Sequence, residues 1–400
     1  MPEPDIVAAY RLAIVASHVI QYQDPFFRLL AADPEIDLTV LYCSRHGLDV
    51  YRDEDMQTSL RWDIELLQGY RYRFLKNLAN DPNRGYFRLV NPTIVSALAR
   101  GHYDAVIFFT GWGSVTALIG LAICRFLRIP SFLYGDSSLP PPVDSARSAI
   151  RAGLIRLIFA LTTGFMVSGK RNADYYAYYG ADRTTFFLLP WAIDNDRFAR
   201  AAALTDRERA DLRARIGIGD RAMAILFSAK LVARKDPMTL LRAFERMEQR
   251  SKAALVFMGD GELRGPLEEY VHRHAIPGVH FIGFINQNDI PQHYAMCDVF
   301  VLPSTYEPRG AVINEAMACG LPVIVTDRCG SIGDIVLEGE NAFVYPAGDD
   351  ARLAAQLDTL VADPSLRARM GRRSFEMIHE WDFAKGVEGV REMLRWTTSR

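Results

Sequence analysis

The sequence predicts an α/β protein with two doubly wound parallel sheets, on three observations. Short apolar runs rich in Val, Ile and Phe recur along the chain, each followed by an amphipathic stretch of helical length. That alternation marks parallel strands covered on both faces by helices. The runs form two sets, one in each half, separated by a polar stretch without strand signal, as two Rossmann-like domains require. Finally, 400 residues exceed one ordinary core and suit two.

The first-half strand candidates are RLAIVAS, LTVLYC, AVIFF, SFLY, GFMVS and FFLLP; the second half offers AILFSA, ALVFMG, VHFIG, VFVLP, PVIVT and AFVYP. Helical patterns such as 236–250 and 262–275 lie between the latter. The expected organisation is a first domain over 1–190, a linker over 191–220 and a second domain over 221–382. Residues 383–400 form an amphipathic helix that returns to brace the first domain.

Composition narrows the function. A hydrophobic content of 50%, a charged content of 24% and a net charge of −2 describe a soluble globular chain. Nucleic-acid binding is not expected, because no basic excess is present. Five scattered cysteines match no zinc spacing and read as reduced thiols of a cytoplasmic protein. The N-terminus lacks the basic segment of a signal peptide. Ala105–Cys124 is uncharged and long enough to span a bilayer, but Gly111-Trp112-Gly113 divides it into a strand and a helix.

The densest chemistry lies in PSTYEPRGAVINEAMACGLPVIV, residues 303–325. It reads as a strand end, a loop carrying Glu307 and a helix carrying Glu315 on a largely apolar stretch. A carboxylate there is costly unless paired or used to bind hydroxyls. Arg309, Gly310 and Ala311 stand at the loop–helix junction, where backbone amides can approach an anion or a sugar. A second loop, FSAKLVARKDP at 227–237, places Lys230 and Lys235 five apart, a spacing that can straddle a diphosphate. A third, VFMGDGELRGPLEE, carries Gly259, Gly261 and Gly265 after a strand. Its G-x-G-x-x-x-G spacing is weak support for a dinucleotide site.

The 303–325 stretch closely resembles the signature of the retaining glycosyltransferases of family 4, which have the two-lobed GT-B fold. The resemblance implies an N-terminal lobe for the acceptor, a C-terminal lobe for the sugar nucleotide and a cleft between them. Glu307 would contact the donor sugar, Glu315 the ribose, and Lys230 and Lys235 the diphosphate. Gly259 and Gly261 would border the nucleotide, and Phe284 and Ile285 would flank the base. The lysine loop departs from the family's G-R-L-x-x-x-K-G, with Ala229, Lys230 and Asp236 at three fixed positions; clamping should survive with altered geometry.

Many family members carry a histidine where Asp136 stands; either Asp136 takes that polar role or the role is absent. His18, after the first strand, is either an acceptor-side group or structural. Asp194-Asn195-Asp196 matches a linker motif of the family and reads as structural, and RDEDM at 52–56 as a solvated loop. The stretch 62–77 is similar to acceptor domains of some polysaccharide-building transferases. Helix 146–164, with Arg147, Arg151 and Arg156, either lies on a membrane surface or packs on the sheet with snorkelling arginines.

The expected function is therefore transfer of a sugar, from a UDP- or GDP-sugar, to a saccharide, lipid-linked or small-molecule acceptor in polysaccharide or glycoconjugate synthesis. No metal or other cofactor is expected. The expected location is the cytoplasm, with peripheral contact at the inner face of the membrane if helix 146–164 meets lipid. A GT-B epimerase or phosphorylase, a dehydrogenase and a non-catalytic nucleotide-sugar-binding subunit are the alternatives.

Overall fold

The computed structural model describes residues 9–53, 55–56, 58–79, 89–139 and 146–399. Residues 1–8, on which the signal-peptide argument rests, and the side chain of Arg147 lie outside the described part. The chain divides into two compact units, Met1–Val50 with Glu65–Trp191 and Phe383–Arg400, and Tyr51–Ile64 with Ala192–Asp382.

The first unit is built on β1 (Tyr10–Ala16), β2 (Ile36–Tyr42), β5 (Arg71–Phe74), β6 (Ala105–Phe109), β7 (Ser131–Gly135), β8 (Gly164–Val167) and β9 (Phe186–Leu188). All pair in parallel, in the order β5-β2-β1-β6-β7-β8-β9. Successive residues of a strand face opposite sides. Leu12 and Ile14 of β1 accordingly enter one core, with Phe26, Phe27, Val390 and Leu394. Ala13 and Val15 enter the other, with Phe108, Leu121 and Phe159. The C-terminal helix, Phe383–Thr398, belongs to this unit and buries Val387, Val390, Met393 and Leu394 against the sheet. Gly389 permits that contact, because a Cβ there would stand 1.8 Å from the Leu188 carbonyl oxygen.

The uncharged run 105–124 divides into β6 and the helix Val115–Leu127, which Ser114 caps by accepting from the Ala117 amide. No described helix is long and apolar enough to cross a membrane.

The second unit contains β10 (Met223–Ser228), β11 (Ala253–Met258), β12 (Val279–Gly283), β13 (Val299–Leu302), β14 (Val323–Thr326) and β15 (Ala342–Tyr345). They form a parallel sheet ordered β12-β11-β10-β13-β14-β15. Chain order reverses between β10 and β13. The loops leaving the carboxyl ends of those two strands therefore meet at the topological switch point, where such sheets bind ligands.

Two regions differ from the sequence expectation. Residues 191–220 were expected to be a linker, yet most of them belong to the second unit and include the helices Asn195–Ala202 and Asp206–Arg215. The second of these has almost no apolar stripe. It is held by a capping box between Thr205 and Glu208 and by Arg209 and Arg213, both hydrogen-bonded to Asp298. Residues 51–64 were placed with the first domain, but the antiparallel pair β3 (Tyr51–Asp53) and β4 (Thr58–Leu60) groups with the second.

Candidate donor-binding site

The loop after β10 and the loop after β13 carry the candidate residues, and backbone contacts fix one against the other. The Thr305 amide donates to the Arg234 carbonyl at 3.0 Å, and the Arg234 guanidinium donates to the Tyr306 carbonyl at 3.3 Å. Lys235 thereby reaches Glu307 across 72 positions of sequence, and its ammonium donates to the Glu307 carboxylate. Both side chains are largely buried, 12% and 8% exposed. In so dry a place the pair is held by charge far more firmly than at a surface. The Glu307 backbone is bound too: its carbonyl accepts from the Gly330 amide at 2.7 Å. Asp236, where the family pattern has glycine, adopts a left-handed backbone (φ 45°) and caps the helix Pro237–Arg246 through Thr239. Short Asp side chains tolerate that conformation, so the departure leaves the helix start intact.

Lys230 turns elsewhere. Its ammonium is 2.9 Å from both Asp53 and Asp55. Those acids belong to the RDEDM run expected to be a solvated loop. The expectation is corrected for Asp53, which is mostly buried where the hairpin joins the second unit, whereas Asp55 is solvent-exposed as expected, though paired with Lys230. Glu54 lies outside the described residues.

Glu315 occupies the middle of the helix Ala311–Ala318 and is completely buried. The Tyr294 hydroxyl donates to its carboxylate at 2.7 Å, which offsets part of the desolvation cost. Tyr294 went unnoticed in the sequence because an aromatic in an amphipathic run carries no sign of its partner. Gly310 precedes this helix with φ 77°, Ala311 opens it, and a Cβ at Gly310 would stand 3.2 Å from the Glu307 Cγ.

Arg309 was expected to touch the donor. It is buried, donates to Asp334 at 2.7 Å and lies 5.8 Å from the Trp381 ring. That bond uses one nitrogen of the guanidinium and braces the loop, while its Nε and second terminal nitrogen are buried without a hydrogen-bond partner among the described residues; contact of Arg309 with the donor stands as a proposal.

Gly259 and Gly261 serve close backbone approach. A Cβ at Gly259 would stand 2.0 Å from the Ala229 carbonyl oxygen, and one at Gly261 2.5 Å from that of Leu231. Both amides are engaged inside the protein, Gly259 with the Gly283 carbonyl and Gly261 with the Asp260 carboxylate. The glycines thus seat the lysine loop and do not form a dinucleotide cradle. Phe284 and Ile285 follow edge strand β12, and Phe284 lies 6.5 Å from the Trp62 ring. Asp194 accepts from the Arg197 amide and caps a helix.

His18 and Asp136 lie in the first unit, after β1 and β7, which flank β6 at the carboxyl edge of one sheet. Burial and the neighbouring His46 push the His18 imidazole down to about 4, and its Nδ1 is 3.0 Å from the Ser17 hydroxyl. The backbone beside Asp136 is held by Asn172, which donates to the Ser137 carbonyl at 2.8 Å. Among the described residues, no group of three or more His, Cys, Asp or Glu side chains could hold a metal ion.

Residues 208–377 match the sequence profile of glycosyl transferases group 1. A GDP-mannose-dependent α-(1-6)-phosphatidylinositol monomannoside mannosyltransferase of Mycolicibacterium smegmatis is 30% identical over 300 residues, 71% of this chain and 75% of that protein. The chain belongs to the glycosyl transferases group 1 family. Another relative, an uncharacterized glycosyltransferase of Methanocaldococcus jannaschii, is 32% identical over 199 residues, 49% of each chain. The match therefore spans only about half the length of that relative.

Among solved structures, Anabaena HepE in complex with UDP aligns with a TM-score of 0.74 and 18% identity, covering 96% of this chain and 99% of that one. Sucrose-phosphate synthase from Thermosynechococcus elongatus aligns with a TM-score of 0.74 and 21% identity, over 98% and 99%. The fold of this group 1 family member is GT-B.

Proposed function

We propose that this chain is a retaining glycosyltransferase that moves a sugar from a nucleoside-diphosphate sugar to an acceptor hydroxyl. The carrying observation is the Lys235–Glu307 pair, held between the two loops at the switch point of the second sheet. Lys235 offsets the charge that develops on the departing diphosphate. Glu307, beside it, accepts hydrogen bonds from the donor sugar's hydroxyls. Glu315 is positioned for the ribose, and its complete burial requires the residues above it to yield when the nucleotide enters. In the transfer step the bond from the anomeric carbon to the phosphate oxygen breaks. The bond to the acceptor oxygen forms on the same face, and the acceptor's proton passes to the leaving phosphate. No metal enters this scheme.

UDP and GDP sugars are the first donors to test. The choice follows one relative, the GDP-mannose-dependent mannosyltransferase, and one structure of like fold, HepE, whose crystals held UDP. The acceptor class is a saccharide, a lipid-linked saccharide or a small molecule. The deciding experiment incubates the protein with UDP-glucose or GDP-mannose and a panel of such acceptors. Product linkage is then read by proton NMR. A new glycoside with the donor's anomeric configuration supports the proposal; an inverted product, or 2-epimerised donor with no glycoside, rejects it.

Contact with a lipid surface is the finer part of this proposal. The helix Ala146–Ala160 buries Ile155, Ile158 and Phe159, so it packs on its sheet. The same helix exposes Ile150, Leu154 and Leu157 beside Arg151 and Arg156, a combination that suits an anionic membrane. Co-sedimentation with vesicles rich in anionic lipid, lost in Ile150→Asp/Leu157→Asp, tests it.

A further inference from the structure

The hairpin β3–β4 is the first-half segment that groups with the second unit, and its described contacts follow the donor-site loops from end to end. At one end, Asp53 and Asp55 both face the Lys230 ammonium at 2.9 Å. At the other, the Asn286 side-chain amide donates to the Arg61 carbonyl at 2.8 Å, and that of Asn288 to the Asp63 carbonyl at 2.9 Å. Between these two bonds the Trp62 ring lies 6.5 Å from Phe284. The hairpin therefore joins Lys230, which the family resemblance gives to the diphosphate, with the loop that the same resemblance gives to the base. Its carboxylates hold Lys230 as a phosphate group would, by charge-assisted hydrogen bonds.

We propose that Asp53 and Asp55 compete with the donor's diphosphate for Lys230, so that the hairpin sets how tightly the nucleotide is held. The inference rests on the donor-site reading above. A diphosphate cannot approach an ammonium that two carboxylates already neutralise without displacing them or meeting their like charge. The competition is intramolecular, since Arg61 and Asp63 remain bonded to Asn286 and Asn288, and a tethered competitor acts at high effective concentration. The Asp53 carboxylate is 11% exposed and that of Asp55 is 61% exposed, so Asp53 is the stronger rival and Asp55 the more salt-sensitive one. The consequence for turnover is release: after transfer the acids recapture Lys230 and help the diphosphate product leave.

The test is calorimetric titration of UDP, GDP and ADP into wild type, Asp53→Asn/Asp55→Asn, Lys230→Ala and the triple variant. Asn keeps the size and shape of Asp, and circular dichroism checks that each variant folds. For whichever diphosphate binds, the double Asn variant should bind about 2- to 10-fold more tightly, the range that removing weak ion pairs allows. Lys230→Ala should bind more weakly, and the gain from the Asn substitutions should vanish in its background, since the coupling passes through Lys230. If Lys230→Ala weakens binding but the Asn variant binds no more tightly than wild type, the competition is refuted and the donor site stands. If no diphosphate binds, or Lys230→Ala changes nothing, the donor-site assignment of Lys230 fails and the competition fails with it.

Discussion

Lys235 and Glu307, 72 positions apart in sequence, share a charge-assisted hydrogen bond between two loops of one parallel sheet. Neither side chain is free to drift, because the Thr305–Arg234 and Glu307–Gly330 backbone bonds fix the loops that carry them. The pair is a positioned cation beside a positioned anion, which is what charge separation in a departing diphosphate and a polar sugar together require.

Removing either member should separate chemistry from folding. Lys235→Ala and Glu307→Ala should each lower sugar transfer by about 100-fold or more, the usual effect of deleting a preorganised electrostatic group. Each should also lower stability by about 1–3 kcal/mol, because its partner stays mostly buried without its mate. Glu307→Gln, which still accepts from Lys235, should recover most of the stability and little of the rate. Product formation and urea midpoints check the two halves independently.

The buried Glu315–Tyr294 bond makes a different prediction. Tyr294→Phe strips a completely buried carboxylate of one donor and should cost about 1–3 kcal/mol of stability. Nucleotide affinity should fall with it, since Tyr294 orients the carboxylate proposed for the ribose. Glu315→Ala should lose the affinity altogether, whereas a change at Tyr294 outside that bond would leave it intact. Calorimetry beside thermal melting distinguishes these results.

Two glycines of one motif should behave oppositely. Gly259→Ala forces a Cβ to within 2.0 Å of the Ala229 carbonyl oxygen at φ 136°. The variant should lose about 1–3 kcal/mol and displace Lys230 from its place. Gly265 stands near the start of the helix Arg264–Arg273, and nothing lies within 4 Å of an added Cβ. Gly265→Ala should therefore fold as well as wild type or gain up to about 1 kcal/mol. Urea denaturation of both variants checks the contrast.

How much of this was legible in the sequence follows from which residues stay dry. Strands such as AVIFF and AALVFM are buried on both faces, so their composition alone announces them. Edge strand β5 reads RYRF and is mostly exposed, so it gave no such sign. The hairpin strands YRD and TSL are three residues each; their placement depends on contacts with Lys230 and Asn286 that no local pattern encodes. The helix Asp206–Arg215 was missed for want of an apolar stripe, although Thr205 and Glu208 spell a capping box. The strand–loop–helix units that carry Glu307, Lys235, Glu315 and Gly310 were readable from the apolar runs, while the roles given to these residues come from the family resemblance and remain proposals. The bond from Arg309 to Asp334 was not legible, because no local pattern encodes a contact 25 positions away.

His18 gives the pH prediction. Its folded value, about 4, lies below the ordinary 6.5, so the unfolded chain takes up the proton first. Stability from this group is complete above about pH 6.5 and declines as pH falls toward 4. His18→Gln should flatten that decline without changing the urea midpoint's pH dependence above pH 7. Midpoints measured from pH 4.5 to 8 for both proteins check the sign.

The most direct test of the central claim is calorimetric titration of UDP, GDP and ADP into wild type and Lys235→Ala, with and without magnesium. The account predicts that wild type binds at least one of these diphosphates, that binding is indifferent to magnesium, and that Lys235→Ala loses it by tenfold or about that order. Equal binding by wild type and Lys235→Ala, or no binding of any diphosphate, would contradict the account and remove the Lys235–Glu307 pair from the donor site.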